Sequence, residues 1–140
     1  MSGTPQKPLP VADPVTAPYW RSAKEHALQI QRCNACGQHL FYPRGICPHC
    51  FSTDLAWQPA SGKGTVYGFT IVYRHPNPAF AADIPYVVAT VELDEGVRLL
   101  SNLVGVEASP DAVKVGMPVE VVYDDVTEEV TLPKFRPRAG

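Results

Sequence analysis

Hydrophobic residues in the C-terminal half of this chain are arranged as in β-strands. Aromatic and β-branched residues occur there in short runs separated by turn-forming residues, a pattern that favours strands over helices. The segments predicted to be strands are residues 65–73, 86–93, 97–106, 119–126 and 130–135. An Asp-Glu-Gly turn signal at residues 94–96 joins the second and third of them and predicts a hairpin.

A different pattern interrupts the series between the third and fourth strands. Ser109, Pro110 and Asp111 are favoured at the start of a helix as N-cap, first-turn proline and first-turn acid. They predict a short helical turn that reaches Val113. The order is then strand, strand, strand, short helix, strand, strand, which is the order of a five-stranded OB-fold barrel.

The N-terminal part of the chain predicts an arm and a helix. Residues 1–17 contain four prolines among small polar residues, a composition that favours a flexible arm. Pro18 suits the first turn of a helix. Because Trp20, Ala23 and Ala27 then recur at helical spacing, we expect a short amphipathic helix that extends to about Ala27.

A strand and a joint connect this helix to the barrel. Leu28 and Ile30 alternate with glutamines directly before Cys33, which predicts a strand. The small residues at 60–64 predict a joint between two modules. The sequence therefore predicts a mainly β protein with a flexible arm at 1–17, a helix and small module at 18–58, and an OB-fold domain at 59–140.

All four cysteines of the chain stand in two close pairs, Cys33 with Cys36 and Cys47 with Cys50. Two C-x-x-C pairs can bring four thiolates to one tetrahedral centre, the geometry that zinc prefers. Four protein ligands leave no position for water, so the predicted role is structural. The pairs predict a zinc ribbon that needs its metal to fold, with iron as the chemical alternative. A glycine follows the first pair but Phe51 follows the second, which implies strain or a different turn.

Other uses of these cysteines fit the sequence less well. Disulfides form in oxidising compartments, and residues 1–15 lack the apolar segment of a secretory leader, so a cytoplasmic location is expected. A redox pair requires one C-x-x-C in a βαβ context, which the predicted elements do not provide. His39 and His49 lie near or within the pairs, but four thiolates already complete the site, so neither is expected to bind the metal.

Composition places the chain among soluble globular proteins. Of its 140 residues, 45% are hydrophobic and 19% are charged, and no apolar run is long enough to cross a bilayer. The formal net charge of -2 argues against a dedicated nucleic-acid binder, which ordinarily has a basic surplus. A single-stranded nucleic-acid-binding protein is still the alternative function, because zinc ribbons and OB-folds both serve that purpose.

Short motifs spread along residues 18–138 together resemble those of one known family. They are Tyr19-Trp20, Gln31-Arg32-Cys33, Pro43-Arg44, Cys47-Pro48, Gly62-Lys63-Gly64-Thr65-Val66-Tyr67, Val91-Glu92-Leu93, Gly116-Met117-Pro118-Val119 and Phe135-Arg136-Pro137. The combination resembles DUF35 proteins, which have an N-terminal helix, a rubredoxin-like zinc ribbon and an OB-fold. The resemblance implies an accessory subunit that binds a thiolase-like partner (a condensing enzyme or an aldolase) or a hydratase, and that is linked to acyl-CoA substrates.

Four residues are candidates for contact with an acyl-CoA. Its phosphates need positive charge, and its adenine and acyl parts need aromatic or apolar surface. Arg74 and Phe80, in the loop between the first two barrel strands, combine these properties. Phe135 and Arg136, near the C-terminus, do the same. Trp20 is the candidate partner anchor, because tryptophan is enriched at interface hot spots; packing against the ribbon is the alternative.

The sequence contains no motif of an independent active site. It lacks the G-x-S-x-G, H-E-x-x-H and phosphate-binding glycine patterns. His26 and His75 have no obvious partner, and the acidic pairs at 124–125 and 128–129 flank a predicted turn, where such residues are ordinarily solvated. No catalytic residue is therefore predicted, and the remaining alternative is an active site that is completed only within a complex.

Overall fold

The structure, a computed structural model, describes residues 7–138. Residues 1–6 of the predicted arm and residues 139–140 of the predicted barrel domain lie outside the described range. In chain order the elements are α1 (Ala17–Lys24), β1 (Gln29–Cys33), β2 (His39–Leu40), β3 (Leu55–Pro59), β4 (Lys63–Val72), a 3₁₀ turn (Pro78–Phe80), β5 (Tyr86–Leu93), β6 (Arg98–Leu103), β7 (Pro118–Asp125) and β8 (Thr131–Pro137). A helix, a small cysteine-bearing sheet and a closed five-stranded barrel follow one another, which confirms the predicted fold class.

Helix α1 begins one residue before the predicted start and ends three residues before the predicted end. His26 explains the early end, because its backbone φ of 58° is left-handed. Its N–H donates to the Ala23 carbonyl, and the next N–H, of Ala27, donates to the Ser22 carbonyl. This is the Schellman arrangement, which glycine ordinarily provides. No helix within residues 7–138 has the length and apolar character needed to cross a membrane.

A three-stranded antiparallel sheet, in the order β2, β1, β3, carries the cysteines. The ladder between β1 and β3 runs from the pair Gln29 and Pro59 to the pair Cys33 and Leu55. Strand β3 is missing from the sequence prediction, because its residues show no alternation between buried and exposed positions. Pairing with β1, rather than a local pattern, makes this segment a strand.

The barrel closes in the order β4, β5, β6, β8, β7, with β7 pairing back onto β4. Neighbouring strands are antiparallel except β6 and β8, which are parallel. In β5 every second residue faces the interior and is buried, as the predicted half-buried strand requires. Each of the five predicted barrel strands is present, with its ends within a few residues of the predicted ones.

The predicted short helical turn between the third and fourth barrel strands is present as a single turn. The N–H groups of Ala112 and Val113 both approach the Ser109 carbonyl, at 3.1 and 3.3 Å. Gly116, with a φ of 87°, then redirects the chain into β7 before a second helical turn forms. Val113 is buried in the main core, so even this one turn contributes to packing.

The main hydrophobic core joins the N-terminal elements to the barrel. Tyr19 of α1, Leu28 before β1 and Ile30 within β1 belong to the same buried cluster as Phe135 and the other barrel residues. A second, smaller cluster consists of Cys33, Leu40 and Cys47, with Leu55 packed against it. We call residues 33–54 the ribbon tip; they contain this small core, while Phe41 of the same segment packs against the main core. The base of the ribbon, which carries Leu28 and Ile30, is by contrast part of the barrel core.

Candidate metal centre and neighbouring surfaces

The four cysteines converge at the ribbon tip. Their Sγ atoms all lie within 4.8 Å of one another. The Sγ atoms of Cys33 and Cys50 are 3.5 Å apart, and those of Cys36 and Cys47 are 3.7 Å apart. A tetrahedral zinc with Zn–S bonds of about 2.3 Å separates its ligands by about 3.8 Å. The donor set and its spacing therefore fit a four-coordinate metal site.

Both cysteine pairs are held by the same backbone hydrogen bonds. The N–H of Gly37 donates to the Cys33 carbonyl at 2.8 Å, and the N–H of Phe51 donates to the Cys47 carbonyl at 2.9 Å. In each pair the N–H of the first cysteine donates to the carbonyl five residues further on, at 2.9 and 2.8 Å. Cys33 and Cys47 are fully buried, whereas the second cysteine of each pair is exposed. The chain thus builds two matching knuckles around one centre.

The turn after the second knuckle repeats the turn after the first, with a bulky residue in place of glycine. The φ angles are 80° at Gly37 and 64° at Phe51. Of the two possibilities that the sequence leaves at Phe51, the structure therefore shows the same turn with strain. The left-handed conformation costs a non-glycine residue about 1–2 kcal/mol. Because the Phe51 side chain is 78% exposed, its packing recovers little of that cost.

The electrostatics of the knuckles favour thiolate at one of the buried positions. Hydrogen bonds to the Cys33 sulfur, first from the backbone N–H of Cys36 and then from the Cys50 side chain, lower the pKa of Cys33 to about 7 from an ordinary 9.0. Hydrogen bonds among the thiols act in the opposite direction on the exposed cysteines, where the pKa of Cys36 is raised and that of Cys50 rises to about 12. The thiolate is the form that binds a metal. His39 and His49 do not belong to the cluster of ligand atoms. They line a neighbouring cleft between the ribbon and the barrel.

Trp20 lies in an aromatic cluster on α1. Its ring meets that of Tyr19 edge-on at 5.0 Å, and the Tyr19 ring lies 5.3 Å from that of Phe41. Trp20 is partly buried against the main core, so it does pack on the fold. It also borders a groove of about 330 Å³ that includes Tyr42 and Leu100, which are both more than half exposed. Its role as a partner anchor stays a prediction.

Arg74 and Phe80 lie in the long loop between β4 and β5. The Phe80 ring stacks on His75 with 4.2 Å between ring centroids. The Lys7 ammonium lies 5.6 Å from the centroid of the same Phe80 ring and forms an ion pair with Asp83. The positive charge beside the Phe80 ring is thus that of Lys7, which lies outside the loop. Arg74 is exposed, and its contact with an acyl-CoA stays a prediction. Part of the Phe80 surface is already occupied by His75 and Lys7.

The prediction that Phe135 contacts CoA is wrong. Its side chain is 0% exposed, in the main core of the barrel. Arg136, the next residue, is exposed, and its Nε donates to Glu120 at 2.8 Å. Successive residues of a strand point to opposite faces, so Phe135 and Arg136 cannot form one binding surface. Adjacency in sequence suggested the pair, whereas strand alternation separates it.

His26 has a partner that the sequence analysis missed. Its Nε2 lies 2.9 Å from both carboxylate oxygens of Asp125, and its ring stacks on Tyr123 at 4.8 Å. The Thr131 hydroxyl also donates to Asp125, at 2.5 Å. Both bonds lower the pKa of Asp125, with the larger effect from Thr131. His26 and Asp125 are 99 positions apart, so no local pattern could have indicated the contact.

Comparison with known proteins identifies the family. The model described as "ChsH2, rubredoxin-like zinc ribbon domain" matches residues 20–56, and that described as "ChsH2, C-terminal OB-fold domain" matches residues 57–124. A "DUF35 domain-containing scaffold protein" of Methanocaldococcus jannaschii is 38% identical over 112 residues, which are 79% of this chain and 77% of that protein. The chain belongs to the DUF35 family, which confirms the resemblance seen in its motifs.

Two further comparisons give individual relatives. A "Probable enoyl-CoA hydratase alpha subunit" of Thermomonospora curvata is 44% identical over 131 residues, or 94% of this chain; the match spans only 40% of that relative's length. A chain of a solved structure described as "Ltp2-ChsH2(DUF35) aldolase" is 44% identical, with a TM-score of 0.81 over 91% of this chain and 98% of that one. A DUF35 structure from Sulfolobus solfataricus, at 18% identity and a TM-score of 0.64, shares the fold.

Proposed function

We propose that this chain is a zinc-binding, non-catalytic accessory subunit that binds a thiolase-like or hydratase enzyme acting on acyl-CoA. The observation that carries the proposal is the likeness, at 44% identity, to nearly a whole chain of an Ltp2-ChsH2(DUF35) aldolase. The relative described as an enoyl-CoA hydratase alpha subunit supports the same reading. In this role the partner supplies the nucleophile and the bases, and this chain organises the complex.

The metal centre suits a structural role within such a subunit. Cys33, Cys36, Cys47 and Cys50 would hold the zinc and fill all four of its positions. A zinc closed by four thiolates supplies folding free energy and has no site for a reactive water. The small core of the ribbon tip explains why that folding energy is needed.

Two surfaces support the assignment of partner and substrate. The groove beside Trp20, with the exposed side chains of Tyr42 and Leu100, is the proposed contact with the partner enzyme. The loop that carries Arg74 and Phe80 is the proposed contact with the acyl-CoA, because it contains an exposed arginine and an aromatic residue, the two kinds of group that such a ligand needs. Phe135 is buried and drops out of this surface, and Arg136 would have to exchange its ion pair with Glu120 for one with the ligand.

Purification of the tagged chain from its native cell tests the proposal. We expect an enzyme of the thiolase or hydratase type to co-purify at fixed stoichiometry, and acyl-CoA turnover to require that enzyme. The isolated chain should show no turnover. Recovery of the chain as a lone monomer, with no acyl-CoA enzyme bound, would overturn the proposed role.

Substitution of one ligand tests the metal. Cys33→Ser should release the metal and abolish partner binding while the barrel keeps its β-sheet signal, because the ribbon tip depends on the ion. Ala35→Ser is the matched control, since it introduces the same side chain at an exposed position of the same knuckle. Elemental analysis should give about one zinc per chain, from the single four-ligand site, and would identify iron if iron is bound instead. A Cys33→Ser variant that loses metal but keeps full complex activity contradicts a structural role for the ribbon.

Titration with single-stranded oligonucleotides tests the alternative function. A nucleic-acid-binding protein would bind them tightly at low salt, with an affinity that falls steeply as salt is raised. The chain has 14 acidic and 12 basic residues, so we expect weak binding. Tight, salt-dependent binding would favour the nucleic-acid alternative.

A further inference from the structure

A cleft of about 340 Å³ lies where the ribbon meets the hairpin formed by β5 and β6. The ribbon contributes His39, Arg44 and His49 to its walls, and the barrel contributes Gly96 and Arg98. No acidic side chain within residues 7–138 lines this cleft. The chain as a whole has more acidic than basic residues, so the charge of this wall is opposite in sign to the net charge of the chain. A concave surface lined by basic and neutral groups attracts anions. Glu92, which is not part of the lining, forms an ion pair with Arg98, so the uncompensated charge comes mainly from Arg44.

The backbone of Arg44 is fixed by a buried amide. Gln31, which is 5% exposed, donates from Nε2 to the Arg44 carbonyl at 2.8 Å. The Arg44 N–H donates back to Gln31 Oε1 at 2.7 Å. The guanidinium of Arg44 itself has no ion pair or hydrogen bond with the described part of the chain. A firmly held backbone therefore presents an unpaired positive charge at the cleft.

Arg98 is held in place from the opposite wall. Its Nε donates to Glu92 at 2.9 Å, and its guanidinium carbon lies 3.8 Å from the centroid of the Tyr67 ring. These contacts orient the planar side chain, and Nε is the only atom of the group that has a hydrogen-bond acceptor among residues 7–138. The N–H groups at the end of the side chain are left for another acceptor.

We propose that this ribbon–barrel cleft binds the phosphate or pyrophosphate group of a nucleotide-type ligand. Arginine side chains match the geometry of phosphate oxygens and form paired, charge-assisted hydrogen bonds with them. Arg44 and Arg98 reach the group from the two modules, and His39 and His49 add imidazole nitrogens. The cleft is at the small end of the range for ligand sites, so it accommodates the charged group and leaves the rest of the ligand outside.

This proposal does not rest on the accessory role, because it concerns a property of the isolated chain. If phosphate did not bind, the proposed accessory role would still stand. If no partner enzyme were found, the proposed phosphate site would still stand.

The test uses the full, zinc-loaded chain and three probes: inorganic phosphate, adenosine diphosphate and adenosine. Phosphate and adenosine diphosphate should shift the side-chain N–H resonances of Arg44 and Arg98 in NMR titrations, and adenosine should not. Tighter binding of adenosine diphosphate than of phosphate would show that the ligand extends beyond the cleft. Zinc content is measured after each titration, so that removal of the metal is not mistaken for binding.

Three variants separate a specific site from general surface charge. Arg44→Gln and Arg98→Gln should each weaken adenosine diphosphate binding at least tenfold. Arg21→Gln removes the same charge from an exposed position on α1, outside the cleft, and should change the affinity less than twofold. Arg98→Lys keeps the charge but loses the paired donors, so it should lie between wild type and Arg98→Gln.

Three results would overturn the proposal. The first is no shift of either arginine with phosphate or adenosine diphosphate at millimolar concentration. The second is an equal loss of affinity in the Arg21, Arg44 and Arg98 variants, which would mean diffuse charge rather than a site. The third is tighter binding of a glutamate-rich peptide than of adenosine diphosphate, which would assign the cleft to an acidic protein segment.

Discussion

Phe51 holds a backbone conformation that glycine holds in the matching knuckle, and its exposed ring gains little in return. Phe51→Asn should stabilise the folded ribbon by about 1 kcal/mol, because asparagine visits the left-handed region readily. Since zinc binding and ribbon folding are coupled, this gain should appear as about fivefold tighter zinc binding. A competition titration with a chelator measures it. Phe51→Ala keeps the backbone cost and removes the ring, so it should match wild type; equal affinities of the Asn and Ala variants would show that the turn is not strained.

Asp125 makes the stability of the hairpin between β7 and β8 depend on pH. Its pKa lies below the ordinary value of 3.8, because Thr131 and then His26 stabilise the carboxylate. A depressed pKa in the folded state contributes stability that is fully present above the ordinary value and is lost as the pH falls through the folded value. Wild type should therefore be more stable than Asp125→Asn in urea unfolding at pH 7, and the difference should shrink towards pH 3.

Glu129→Gln is the control for this experiment. It removes a carboxylate from the same hairpin, at an exposed position whose side chain has no hydrogen-bond partner in the described structure. Its effect on the free energy of unfolding should be small at both pH values. A difference between wild type and Asp125→Asn that stays constant from pH 7 to pH 3 would mean that the carboxylate form of Asp125 is not what stabilises the hairpin.

At the scale of elements, the sequence pattern predicted those strands whose burial alternates along the chain. Strand β5 alternates strictly between buried and half-buried residues, and its predicted and observed bounds coincide. Strand β3 has no such alternation and exists because it pairs with β1, so it was missed. The short turn at 109–113 was predicted from its helix-start residues, and Gly116 redirects the chain soon after it.

The same distinction holds for the candidate sites. The cysteine cluster was predictable because all four cysteines lie within two short motifs, and the fold only has to bring the two together. The contact of His26 with Asp125 depends on how α1 meets a distant hairpin, which no short motif encodes. Phe135 was misread because β8 has no regular alternation of apolar and polar residues, so that its buried face shows only in the structure, where Phe135 is buried and Arg136 is exposed.

For the whole molecule, the two hydrophobic cores, rather than the ribbon and barrel modules, decide which residues should unfold together. Tyr19, Leu28 and Ile30 precede the cysteines in sequence, yet they are buried in the barrel core. Among residues 7–138 only the ribbon tip has a separate cluster, and two members of that cluster, Cys33 and Cys47, belong to the candidate metal site. Removal of the metal should therefore unfold the tip and leave the base of the ribbon attached to the barrel.

Hydrogen exchange measured on the zinc-loaded and chelated chain tests this boundary. Amides at residues 33–54 should lose protection without metal, whereas those of α1, of residues 28–31 and of the barrel strands should keep it. Ile30→Ala provides the complementary variant, because Ile30 is fully buried. Its loss should lower the free energy of unfolding of the barrel by about 2–5 kcal/mol, although the residue lies in the ribbon sheet. Loss of protection throughout the barrel on chelation would show a single cooperative unit, and unchanged protection at 33–54 would show that the tip folds without metal.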